Sequence, residues 1–144
     1  MGTYSGIDLW FPKGFDRDSL ELYLGRLYKK GEDIHVAGFS LHIQTRHFMK
    51  GFGKNWELSL CCETTNSWRP MCHFALMTVA DHFCGTGCET LVAADYNRVV
   101  YFYANKGAIF LNEEYVKVIP WEFVFFRNLT PEIMPLKWVD GEIN

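Results

Sequence analysis

Residues 34–63, IHVAGFSLHIQTRHFMKGFGKNWELSLCCE, decide the fold class of this chain. From Ile34 to Arg46 apolar and polar residues alternate, with Phe39, Leu41 and Ile43 on one side and Ser40, His42, Gln44 and Arg46 on the other. Successive side chains of an extended backbone point to opposite faces, so this period of two predicts a strand. The next run repeats the pattern: Trp56, Leu58, Leu60 and Cys62 fall inward, and Glu57, Ser59, Cys61 and Glu63 outward. Phe48 to Asn55, with Gly51 and Gly53, is the expected connecting loop. The two strands are predicted to pair antiparallel, with one wet face.

Upstream, Ile7, Leu9 and Phe11 alternate with Asp8 and Trp10 until Pro12 and Gly14 stop the strand. Asp18 and Glu21 resemble a capping box, and Leu20, Tyr23, Leu24, Leu27 and Tyr28 share one helical face before Gly31, predicting a helix over Ser19–Lys30. Downstream, Pro70 and an unbroken Met71–Cys84 run closed by Gly85 predict a second helix, apolar nearly all round and therefore buried. Leu91–Ala94, Val99–Ala104 and Ala108–Leu111 read as short strands, with a turn at Asn97 and a hairpin at Asn105, Lys106 and Gly107. Tyr115–Ile119 and Trp121–Phe126 read as further strands parted by Pro120, with a helix as the alternative for the second run. Pro131 and Pro135 mark Asn128–Pro135 as turn, before a last short element at Leu136–Val139.

These elements predict a single α+β domain over residues 1–144, a mainly antiparallel sheet with two helices. The order resembles the β-α-β-β-α-β of ferredoxin-like folds, extended by C-terminal strands. At 144 residues, 49 % hydrophobic and 22 % charged, the chain can bury roughly two thirds of its unfolded surface around one core without disulfides or structural metal. No apolar run reaches the roughly 18 residues of a membrane helix. Met1–Trp10 lacks a signal peptide's basic start and apolar stretch, so a cytoplasmic location is expected. Cys61, Cys62, Cys72, Cys84 and Cys88 are an odd set without framework spacing and are expected to be free thiols.

The net charge of −3 disfavours nucleic acid, whose binding rests on phosphate neutralisation, and suits a basic protein partner. Aromatic residues make up 17 % of the chain. Most should fill the core, and any surplus on the surface would mark a contact site. No catalytic residue, cofactor or metal site is assigned. Cys72, His73, His82, Cys84 and Cys88 are zinc-type ligands without paired knuckle spacing, which read first as packing and surface residues. Cys88, after Gly85, Thr86 and Gly87, is the candidate nucleophile of a small enzyme or ligand binder, with nearby histidines as bases. It follows a helix, however, whereas activated thiols commonly sit at a helix start. The carboxylates at Asp16 and Asp18 have a capping role, and those at Glu113 and Glu114 read as solvated charge or an acidic patch.

Lys50, Gly51, Phe52 and Gly53 match the first four positions of the RNP1 segment of RNA-recognition motifs. The resemblance implies that Phe52 stacks on a base. The continuation Lys54, Asn55, Trp56 departs from the family, and acidic residues on the expected open face would repel phosphate. In size, acidity and architecture the chain also resembles small bacterial immunity proteins, which neutralise a cognate, often basic, nuclease toxin by masking its active site. That resemblance implies a non-enzymatic toxin inhibitor and transfers no residue. The expected partner surface, from acidic groups and aromatic anchors beside the C-terminal hairpin, is Asp95, Tyr101, Tyr103, Glu113 and Glu114.

Overall fold

The computed structural model describes residues 5–25, 34–36, 39–95 and 97–138. It is an α+β domain with two helices and one open sheet of eight strands. In chain order these are β1 (Ser5–Pro12), α1 (Arg17–Leu24), β2 (Ile34–Val36), β3 (Phe39–Gly51), β4 (Lys54–Thr64), α2 (Arg69–Gly85), β5 (Thr90–Ala94), β6 (Val100–Asn105), β7 (Ala108–Asn112) and β8 (Thr130–Met134). The strands lie in the order β2-β3-β4-β1-β5-β6-β7-β8. All neighbours are antiparallel except β7 and β8, which are parallel.

Helix α1 starts earlier than its sequence suggests. Asp16 caps it, accepting hydrogen bonds from the Asp18 N–H at 3.0 Å and the Ser19 hydroxyl at 3.1 Å. Its C-cap is Gly25 at φ 60°, a left-handed value glycine tolerates. Leu20 is fully buried, Tyr23 and Leu24 are half-buried, and Leu27 and Tyr28 lie outside the described residues. Helix α2 buries Cys72, His73, Leu76, Met77, Val79, Ala80, Asp81 and Phe83, but Met71, Thr78 and Gly85 are exposed along its opposite side, so it is less enclosed than its apolar girth predicts.

The predicted Ile34–Arg46 strand is two strands. Residue pairs Val36–Phe39 and Ile34–Leu41 fold β2 back on β3, and β3 runs on to Gly51. The expected Phe48–Asn55 loop shrinks to the two-residue turn Phe52–Gly53, with φ values of 55° and 72°. Positive φ at both central residues matches the twist of a tight hairpin. Lys106 and Gly107, at 48° and 86°, join β6 to β7 in the same way.

One sheet face meets both expectations: Ile7, Leu9, Phe11, Leu41, Ile43, Leu58, Leu60 and Cys62 form the core with α1 and α2. The other face is not the expected wet one, because Asp8, Trp10, Ser59 and Cys61 are all buried there. Trp56 also changes sides. Phe11 pairs with Leu58 but Pro12 with Trp56, so one extra β4 residue is accommodated between them. Such a bulge reverses the alternation, and Trp56 joins Trp10, Phe52, Val92, Ala94, Val100 and Tyr103 in a second apolar cluster. A second bulge, where Ala93 pairs with Phe102 and Ala94 with Val100, puts Tyr101 in the main core with its neighbour Phe102.

This second face is curled. Tyr103 on β6 lies three strands from β4, about 14 Å across a flat sheet, yet the ring of Phe52 stacks on it with centroids 4.6 Å apart. Trp138 closes the same end, packed edge-on to Phe52 at 5.3 Å and donating to the Lys50 carbonyl at 3.1 Å. It fits only because residue 51 is glycine, where a Cβ would lie 2.5 Å from the indole.

Candidate functional site

The chain connecting β7 to β8 is neither of the two predicted strands. Hydrogen-bonded turns run from Asn112 to Ile119, a single 3-10 turn spans Trp121–Phe123, and an extended stretch leads through Phe126. Leu129 then turns under the fold, and Thr130–Met134, expected to be turn, is β8. Ile119 and Leu129 are buried anchors, and Tyr115, Trp121, Val124 and Phe126 pack against the main core. Between them, Phe123 and Phe125 stand out of the fold, 80 % and 81 % exposed among the described residues.

This segment is fastened. Asp81 of α2, only 6 % exposed, accepts hydrogen bonds from three successive backbone N–H groups, those of Arg127 at 3.0 Å, Asn128 at 2.9 Å and Leu129 at 3.1 Å. The Asn128 amide donates back to the Asp81 carbonyl at 2.8 Å. Bonds to an ionised acceptor are each worth about 1.5–3 kcal/mol. The close approach requires Gly85, where a Cβ would lie 2.3 Å from the Asn128 amide. Holding the backbone on both sides reduces the ordering cost that a binding loop ordinarily meets.

The two phenylalanines flank separate depressions of about 490 Å³ each. Phe123 borders one formed with Pro70, Val118 and Pro120, and Phe125 one formed with Tyr23, His82 and Arg127. The Arg127 guanidinium lies 5.9 Å from the Phe125 ring centre. Val118, Trp68 and Met71 add exposed apolar surface, and Glu113, Glu114 and Glu122 are exposed on the same connection. Among the described aromatic side chains only Trp68, Phe123 and Phe125 are exposed, and a large apolar patch left in water is informative.

Of the residues expected to form the partner surface, Asp95 and Tyr101 are hydrogen-bonded to each other, while Tyr103 lies in a different cluster. Tyr101 and Tyr103 are buried, 4 % and 8 % exposed, in different clusters on opposite faces. Burial raises the pKa of both phenols. The Tyr101 hydroxyl receives a hydrogen bond from Arg69 and donates to Asp95 at 3.3 Å. Asp95 also accepts from the Asn97 and Val99 N–H groups, at 2.9 and 3.0 Å, so it organises its own turn. Glu113 and Glu114 are exposed, as expected. Phe123 and Phe125 escaped sequence reading because Trp121–Phe126 carries aromatic residues at both parities, and period two alone cannot say which set points outward.

The chemical candidates are also resolved in space. None of the five cysteines forms a disulfide. Cys88 lines a hollow of about 590 Å³ between β1 and the end of α2, where its thiol donates to the Thr90 carbonyl at 3.6 Å. Burial pushes its pKa up, and that of Cys84 to about 12, so neither is an activated thiolate. His82 stacks on Tyr23 at 4.0 Å and His73 is buried against Tyr101. Phe52 sits in a turn with its ring buried, so it presents no base-stacking surface. No helix is long and apolar enough to cross a membrane among the described residues. Comparison with protein-family models, curated proteins and solved structures finds no match.

Proposed function

We propose that this chain is a non-enzymatic protein-binding module whose contact surface is the β7–β8 connection, with Phe123 and Phe125 as anchors. The carrying observation is that both rings are some four-fifths exposed on a backbone clamped by Asp81. Aromatic anchors entering partner pockets supply most of the binding energy in protein interfaces, and flanking charge sets the association rate. Glu113, Glu114 and Glu122 are exposed on the same connection, together with Lys117 and Arg127, and the net charge of −3 favours a basic partner. A basic toxin domain masked as immunity proteins mask theirs is the finer form of this proposal. We also read β3-β4-β1-β5 with α1 and α2 as a ferredoxin-like unit. Its strand order and antiparallel pairing support that reading.

The test places a photo-crosslinking residue at position 125 in the source cells. One protein should be captured, with the parent chain competing and the Phe123→Ser, Phe125→Ser double variant failing to compete. Against that captured protein, Glu113→Lys with Glu114→Lys should slow association and flatten its salt dependence while thermal stability stays within about 0.5 kcal/mol. Equal competition by the serine variant would remove the phenylalanines from the interface. Turnover of a small molecule abolished by Cys88→Ala would replace the module with an enzyme.

A further inference from the structure

The uncovered end of the curled second face has a different chemistry from its aromatic end. Three strands are in register there: His42 on β3 and Asp8 on β1 both lie opposite Cys61 on β4. Glu63 follows two residues along the same side of β4, opposite Gly6 and Ser40. One ligand atom from each of His42, Cys61 and Glu63 lies within 4.8 Å of the others. Around a tetrahedral zinc, ligand atoms at bond lengths of about 2.0–2.3 Å are roughly 3.3–3.7 Å apart. The three side chains therefore close on one ion by a contraction of about an ångström, within the reach of small torsional adjustments about staggered χ angles.

The surroundings suit that use. Gly6 puts no side chain over the site, where a Cβ would be in van der Waals contact with the Cys61 sulfur at 3.9 Å and Glu63 Cγ at 4.0 Å. The Gln44 amide meets His42 Nε2, while its buried Oε1 has no hydrogen-bond partner among the described residues. A half-turn of the amide would let Oε1 accept the Nε2–H, leaving Nδ1 as the ring nitrogen with a lone pair for a metal. A metal-bound histidine is commonly oriented by this kind of outer hydrogen bond. Exposure is graded from Cys61 (3 %) through half-buried His42 to exposed Glu63, so an ion can enter from solvent.

We infer that His42, Cys61 and Glu63 bind one zinc ion at the rim of the second sheet face, with the fourth position open to water. Thiolate with imidazole and carboxylate is a borderline-soft donor set, which favours zinc over the hard cations that take oxygen alone. Binding releases the Cys61 thiol proton to solvent, since the thiolate is the ligand. None of the three ligands belongs to either apolar cluster, so removing the ion should leave both clusters packed. This site is separate from the phenylalanine surface, and the two proposals stand or fall independently.

The metal-free full chain should bind one Co2+ with a thiolate-to-metal charge-transfer band, and one equivalent of zinc should displace it. Cys61→Ser should abolish the band, and Cys88→Ser should keep it. Glu63→Gln, at an exposed position with no threat to folding, should weaken zinc at least tenfold, and Gln44→Leu by about 10–100-fold. Failure to take up one Co2+, a band that survives Cys61→Ser or disappears with Cys88→Ser, or unchanged zinc affinity in Glu63→Gln would overturn the site. If Cys61→Ser does not fold, the Glu63→Gln arm decides.

Discussion

The two faces of the sheet are built from the same strands and end up with opposite characters. The face under α1 and α2 is mainly apolar, because two helices cover it and an unpaired polar group there would lose its water. The other face has no helix on it among the described residues. Its own hairpin end and the Leu136–Trp138 segment cover half of it with aromatic rings, and the other half keeps Asp8, His42, Ser59 and Cys61. Ser59 donates to the Asp8 carboxylate at 3.2 Å, pairing two of its buried polar groups across strands. The comparison teaches that polar alternation along a strand marks a face without a helix, which need not be a face in water.

If the second face is a true core, its centrepiece should cost as much as a residue under the helices. Trp56 is fully buried and donates to the Gly51 carbonyl at 2.8 Å. Trp56→Ala should therefore lose about 3–5 kcal/mol, and denaturant unfolding reads this directly. A loss below about 1 kcal/mol would return that face to solvent. On the helix-covered face, Leu20→Ala should cost about 2–5 kcal/mol, and Leu24→Ala, only half-buried, distinctly less. Equal losses in the two variants would show that α1 docks differently.

His73 is the exception on the helix-covered side. It is fully buried, and neither ring nitrogen has a hydrogen-bond partner among the described residues. Burial, and secondarily the Arg69 guanidinium, lowers its pKa from 6.5 to about 4. The folded state thus holds the neutral ring while the unfolded state takes a proton first. The associated stability is complete above pH 6.5 and is lost as pH falls toward 4, an effect of up to about 3 kcal/mol. His73→Leu, close in volume, should flatten this acid limb while changing stability at pH 7 by less than about 1.5 kcal/mol. An unchanged limb would assign the acid sensitivity to other groups.

Much of the frame was legible in the sequence because hydrophobic period tracks buried faces directly. Strands β1, β4, β5, β6 and β7 and helix α2 fall within a few residues of where Leu9, Leu60, Leu91, Phe102, Ile109 and Leu76 imply. What period two could not register was any change in that period. The bulge beside Trp56 reversed its side, the β2–β3 fold-back hid inside one alternating run, and β8 was masked by Pro131 and Pro135. The candidate surface was illegible for a related reason. Phe123 is exposed because Asp81, some forty residues earlier, fixes the backbone just beyond it, and nothing local to Trp121–Phe126 encodes that bond. His42 and Cys61 likewise meet only through strand pairing.

The outer strands set how this sheet can meet other chains. At one margin β8 carries Pro131, which has no N–H to offer, and a proline-bearing margin is a poor template for a further strand. At the other, β2 pairs only with Phe39–Leu41 of β3, so the rest of that long strand, His42–Gly51, has no strand on its outer side among the described residues. Recognition by strand addition is therefore blunted along β8 and left open along β3.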